Sequence, residues 1–78
     1  MEIKVLGPGC AKCGQLEEVT RKAVEKAGLD ATIEKVSDMA QIMGYGVMST
    51  PALVVDGQVR LAGRVPSVDD LAALLQRS

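Results

Sequence analysis

Asp56-Gly57 constrains this chain more than any other pair of residues. It stands between two short apolar runs, "ALVV" at 52–55 and "QVRLA" at 58–62. Asp-Gly in that setting predicts a tight hairpin turn, because both central residues of the favoured turn take positive φ. An antiparallel strand pair is thus expected late in the chain. The earlier segments read differently. "EIKVL" at 2–6 sets Ile3 and Val5 among charged residues and then adds Leu6, a strand pattern that Gly7-Pro8-Gly9 ends. Leu16, Val19, Ala23, Val24 and Ala27 then recur at helical spacing. Charged residues fill the opposite side, with Glu18–Lys22 and Arg21–Glu25 spaced as i, i+4 pairs. Gly28 falls where a helix C-terminus favours glycine.

"ATIEKV" at 31–36 reads as a second strand, with Thr32 and Ile33 favouring extended backbone. Ser37 or Asp38 is placed to cap a short helix, "MAQIMGYG" at 39–46, with Met39, Ile42 and Met43 on one apolar side. Ser67 caps a last helix, with Asp70 three residues on in a capping-box-like arrangement. Val68, Leu71, Leu74 and Leu75 form its stripe. The order is βαβαββα. The first two strands flank a helix and are expected to be parallel, whereas the last two form the hairpin. The expectation is an α/β fold with a mixed four-stranded sheet flanked by helices.

The length of 78 residues points to one domain, residues 1–78. Tyr45 is the only aromatic, so the core must be aliphatic, with Met39, Met43 and Met48 expected as gap-fillers. A net charge of −1 and the want of stacking aromatics argue against nucleic acid as a partner. No stretch approaches the roughly 18 apolar residues that span a bilayer, so no membrane association is expected. "MEIKVLGPG" is too short and wrongly charged for a signal peptide. The expected location is cytoplasmic, where a close cysteine pair points to redox or metal chemistry rather than to a structural staple.

Cys10 and Cys13 are the only cysteines, and there is no histidine. They lie in "GPGCAKCGQ" at 7–15, where the first strand gives way to the first helix. Cys13 is three residues before Leu16, so it shares the apolar face and is expected to be buried. Cys10 falls at or near the N-cap, at the exposed end. That asymmetry suits thiol–disulfide exchange, in which a thiolate attacks. The helix N-terminus offers unpaired N–H groups and about half a positive charge, which favour the anion. Lys12 adds a cation between the two cysteines. The Cys10 pKa is expected to fall below the free value of about 8.5. Cys10 then attacks and Cys13 resolves. Glycines 7, 9 and 14 are expected to leave room for a partner's backbone.

Two other readings use the same thiols. One is a pair of small buried hydrophobes. The other is a module for a soft metal or metalloid, Cu(I), zinc or arsenic, since thiolates suit soft ions. A structural zinc site takes about four ligands, which two thiols without histidine do not supply. Copper chaperones also place CxxC after a first strand, but in a βαββαβ order.

The chain resembles the thioredoxin fold and, within it, the short prokaryotic thioredoxin-like proteins called small redox-active disulfide proteins, also described as glutaredoxin-like. The resemblance rests on "GPGCAKC", "QIMGYGV", "STPALVVDG" and "LAGRVPS", which together cover most of the chain. It implies a dithiol–disulfide oxidoreductase, an electron carrier with no bound cofactor, acting on disulfide-containing proteins. It also implies a cis bond at Thr50-Pro51, with Pro51 packed against the active-site disulfide. The backbone of Thr50 would pair with an extended stretch of the partner. Gly9, Ala11, Thr50 and Pro51 then border the substrate groove, and a flavoprotein disulfide reductase is the expected electron donor.

The departures are specific. Gly9 stands where thioredoxins proper have Trp, and Ala11-Lys12 where they have Gly-Pro. They also bury an acidic residue on the strand before the motif, whereas "EIKVL" offers only Glu2 and Lys4 at polar positions. Glu17, one turn after Cys13, reads as a solvated helix charge. "GRVPSVDD" at 63–70 lacks the second glycine of the glutathione-binding pattern of glutaredoxins. Arg64 is expected to point into solvent, and glutathione is not expected as reductant. Some members of the family occur beside metalloid-resistance functions, which gives a metalloid-stress accessory role as a further alternative.

Overall fold

The computed structural model describes residues 1–7 and 11–77. Its elements run β1 (Glu2–Leu6), α1 (Ala11–Ala27), β2 (Thr32–Val36), α2 (Met39–Gly44), β3 (Ala52–Val55), β4 (Gln58–Ala62) and α3 (Val68–Gln76). The strands form one sheet in the order β2-β1-β3-β4. β1 and β2 are parallel, from Glu2↔Thr32 to Leu6↔Val36. β1 and β3 are antiparallel, from Ile3↔Val55 to Leu6↔Ala52. β3 and β4 are antiparallel, with an irregularity between Leu53 and Val54. The expected α/β architecture, with its mixed four-stranded sheet, is the one observed.

Alternation along the strands splits the interior in two, because successive side chains point to opposite faces. Ile3, Val5, Leu53, Val55 and Leu61 join Leu16 and Ala23 of α1 and Leu71, Ala72 and Leu75 of α3 on one face. Leu6, Ala52 and Val54 join Val36 and Ile42 on the other, beneath α2. β3 is therefore buried on both sides along its whole length. That is why "ALVV" reads as a continuous apolar run rather than an alternating one.

The punctuation behaves as the local chemistry dictates. Asp56 and Gly57 have φ of 50° and 84°, the positive pair that the two-residue turn requires. Asp56 does more than turn. Its carboxylate accepts from the Glu2 amide at 2.8 Å, and its own amide donates to the Glu2 carbonyl at 2.8 Å, so the hairpin tip is tied to the start of β1. Gly28 follows α1 with φ of 66°. Asp38, rather than Ser37, caps α2, accepting from the Ala40 amide at 2.9 Å. Ser67 caps α3, accepting from the Asp70 amide at 3.2 Å.

Three expectations need correction. Met39, Met43 and Met48 do not fill the core: they are 52%, 69% and 100% exposed. α2 ends at Gly44, two residues short of the segment read as helical, and Ile42 is its one buried residue. So short a helix lays only one side chain on the sheet. The inner face of α1 is completed instead by Thr20, fully buried, whose hydroxyl donates to the Leu16 carbonyl at 2.6 Å. This back-bonding one turn up the helix is what lets a polar side chain sit there. Third, Arg21 pairs with Glu17 at 3.0 Å rather than with Glu25, whereas Glu18–Lys22 forms as the spacing implies, at 3.3 Å. Lys26 reaches Asp69 and links α1 to α3 at the surface.

Asp56→Ala removes both the acceptor for Glu2 and the side chain that tolerates positive φ, and should lower stability by about 1–2 kcal/mol. The urea midpoint should fall with an unchanged slope. Asp56→Asn keeps an acceptor oxygen and should lose less than half as much. Equal losses in the two variants would contradict this role for Asp56.

Candidate active site

The β1–β3 ladder ends at Leu6↔Ala52. The next residues outward are Gly7 on one strand and Pro51 on the other. Two segments distant in sequence are thereby brought to one end of the sheet: the exit from β1 at Gly7 and the loop that enters β3. Gly7 is buried, and its amide donates to the Val36 carbonyl at 2.9 Å, continuing the pattern of β1 beside β2 by one residue.

α1 begins at Ala11, so Cys13 lies in its first turn, where backbone amides lack partners within the helix. Cys13 is fully buried and is disulfide-bonded. Its inward position agrees with its spacing from Leu16. Pro8, Gly9 and Cys10 lie outside the described residues, so the expected exposure of Cys10 and the expected groove position of Gly9 do too. Ala11 and Lys12 are exposed on the opening turn of α1.

Gly7 has a different use from the one expected. A Cβ placed on it would stand 2.2 Å from the Cys13 Sγ and 2.8 Å from the Cys13 Cβ. Its missing side chain leaves room for Cys13, not for a partner's backbone. Gly14 is exposed, and a Cβ there would meet nothing within 4 Å.

At the entry to β3, the Thr50–Pro51 peptide bond is cis, in line with the family resemblance. Pro51 is buried and Thr50 half-buried. Gly63, just past β4, holds this segment. Its amide donates to the Pro51 carbonyl at 2.8 Å. Its φ is 79°, and a Cβ on it would come within 3.1 Å of the Ser49 Cβ. Backbone angle and close approach both call for glycine here.

The strand leading to the cysteines carries no buried carboxylate. Glu2 is exposed, whereas Lys4 is half-buried on the α2 side of the sheet. Its Nζ donates to the Tyr45 hydroxyl at 3.3 Å and lies 3.4 Å from a Glu2 oxygen. The hydrogen bond to Tyr45, more than the carboxylate of Glu2, holds the Lys4 ammonium above its ordinary pKa. Lys4 therefore stays charged throughout the neutral range. The alternation places Lys4 at a polar position, and the fold half-buries it there. Its period-2 place on the α2 face, opposite the chain's one aromatic, was the signal available. Glu17 pairs with Arg21 but is half-buried rather than solvated, because α1 turns it partly inward. Arg64 is exposed. Among the described residues no three His, Cys, Asp or Glu side chains are grouped to hold a metal ion.

Residues 1–76 match the family described as thioredoxin domain. The chain is similar to a thioredoxin from Methanothermobacter thermautotrophicus, with 41% identity over 75 residues, covering 96% of this chain and 97% of the relative. It is likewise similar to a thioredoxin from Methanocaldococcus jannaschii, 41% identical over 69 residues, with 88% and 79% of the two chains covered. A probable thioredoxin, again from M. thermautotrophicus, is 33% identical over 67 residues, with 82% and 78% covered.

The two glycines that flank Cys13 should respond with opposite signs. Gly7→Ala forces an atom into the Cys13 sulfur and should cost about 1–3 kcal/mol. Gly14→Ala adds a good helix former at an open position and should gain about 0.5–1 kcal/mol. Chemical unfolding of the oxidised protein measures both. A Gly7→Ala protein as stable as the parent would show that Cys13 is not packed against this backbone.

Proposed function

The chain belongs to the thioredoxin family, whose members are thiol–disulfide oxidoreductases, and we propose that it reduces protein disulfides with Cys10 as nucleophile and Cys13 as resolving thiol. The observation that carries this division is the complete burial of disulfide-bonded Cys13 behind Gly7. A sulfur so enclosed has no approach to a disulfide on another protein. The other cysteine of the chain is Cys10, so the attacking role falls to it.

In the proposed cycle the Cys10 thiolate attacks one sulfur of the target disulfide. The target S–S bond breaks, one target thiolate leaves, and a mixed disulfide joins Cys10 to the other target sulfur. Cys13 loses its proton and attacks the Cys10 sulfur. The second target thiol is released and a Cys10–Cys13 disulfide forms. Two electrons pass from the dithiol to the target. The N-terminal turn of α1 supplies unpaired amides and a positive dipole end to the attacking anion, and Lys12 contributes a cation on that exposed turn. Gly9, Ala11, Thr50 and Pro51 border the groove that receives the target, with the Thr50 backbone pairing to it by strand addition.

The dithiol is restored by a second donor, which on family grounds we assign to a flavoprotein disulfide reductase. A pair that must return to the dithiol state suits a reducing compartment such as the cytoplasm. Among the described residues no helix is long and apolar enough to cross a membrane.

Turnover with insulin and dithiothreitol tests the assignment. Cys10→Ser should abolish catalysis. Cys13→Ser should leave attack intact and accumulate a mixed disulfide with the substrate, seen as a covalent adduct on a non-reducing gel. A Cys13→Ser protein that turns over normally and traps nothing would overturn the two-cysteine mechanism.

A further inference from the structure

Charged residues make up 24% of the chain, yet none lies between positions 39 and 55. For β3 burial on both faces accounts for this. Residues 39–50 have no such reason, since most of them face solvent. The large apolar side chains that stand exposed among the described residues are Met39, Met43, Met48 and Val59. Three of the four are methionines from this uncharged stretch.

Met48 is the extreme case, 100% exposed and two residues before Thr50. The loop that carries it is held at both ends. At the entry, the Tyr45 amide donates to the Ile42 carbonyl at 3.2 Å, and its hydroxyl accepts from Lys4. Tyr45 and Val47 pack on the cluster beneath α2. At the exit, Ser49 lies against Gly63, whose amide holds the Pro51 carbonyl. Between inward-turned Val47 and seated Ser49, Met48 is left facing out.

We propose that Met48 is a specificity-determining residue that receives an uncharged, apolar stretch of the target polypeptide beside its disulfide. The inference rests on the disulfide-reductase reading above. Met48 stands two residues before Thr50, within about 7 Å of it along the chain, so it adjoins the backbone proposed to pair with the target. The occupant is the target segment itself, because continuity with the Thr50–Pro51 groove places it there. A second copy of this chain lying there would close the groove. The want of charge over residues 39–55 fixes the chemistry. This stretch itself offers a charged target segment no ionic partner, and an unpaired charge is costly to desolvate. The unbranched, polarisable thioether suits apolar side chains of differing shape. The result is tolerance among apolar targets and discrimination against charged ones.

The test uses three disulfide-linked peptides that differ only beside the cystine, which is flanked by Leu and Val, by Lys, or by Glu. The parent should prefer the apolar peptide. Met48→Glu should lose about three- to tenfold in kcat/KM on it and gain on the Lys-flanked peptide. Met48→Lys should lose on the apolar peptide and gain on the Glu-flanked one. The side chain is fully exposed, so neither variant disturbs the fold. Peptide preferences that stay fixed across parent, Met48→Glu and Met48→Lys would overturn the role of Met48 while leaving the oxidoreductase intact. A parent that reduces none of the peptides would overturn the oxidoreductase reading, and this inference with it.

Discussion

β1 and β3 are separated by more than half the chain, yet they lie side by side at the centre of the sheet, paired from Ile3↔Val55 to Leu6↔Ala52. Both strands break at the same end of that ladder, one into Gly7 and the cysteine loop, the other back into Pro51 and Thr50. The site depends on this one pairing. Backbone hydrogen bonds across these two central strands fix the distance between Gly7, against which Cys13 packs, and Pro51. Loops alone would leave that distance to chain entropy. Gly63 adds a second restraint through the Pro51 carbonyl.

The same architecture encloses Cys13. A helix that starts immediately beyond a central strand has its first turn against the sheet edge. One residue of that turn, Cys13, then faces inward, and Gly7 opens the space for its sulfur. Ala11 and Lys12 on the same turn remain exposed. A short spacing on a helix is enough to set one thiol in the interior while the other side of the turn meets solvent. In the proposed cycle the resolving role of Cys13 follows from its burial. The half-buried cation Lys4 is a further departure from the acidic residue that the thioredoxin resemblance implies on this strand. The one carboxylate on this strand, Glu2, is exposed.

Most of the fold was legible because the deciding chemistry is local. The Asp56-Gly57 turn, the Gly28 end of α1 and the Ser67 cap each depend on a few adjacent residues, and each stands where sequence placed it. Cys13 was legible from its spacing to Leu16. What escaped was tertiary. The stop to β1 is a sufficient reading of Gly7 in sequence, and its closeness to Cys13 arises only when α1 folds back on the strand. Met39 and Met43 share helical spacing with Ile42, but α2 is too short to lay all three on the sheet, and hydrophobicity alone does not report helix length. Thr20 reads as polar until its hydroxyl turns back to the Leu16 carbonyl. The cis bond at Thr50-Pro51 came from the family resemblance and not from the residues themselves.

In the proposed mechanism, burial divides labour between two thiols three positions apart. Alkylation of the reduced protein by iodoacetamide at neutral pH, followed cysteine by cysteine through mass spectrometry, tests it most directly. Cys10 should be modified at least about a hundredfold faster than Cys13, since a reactive thiol must be both ionised and accessible. Equal rates, or faster modification of Cys13, would contradict it.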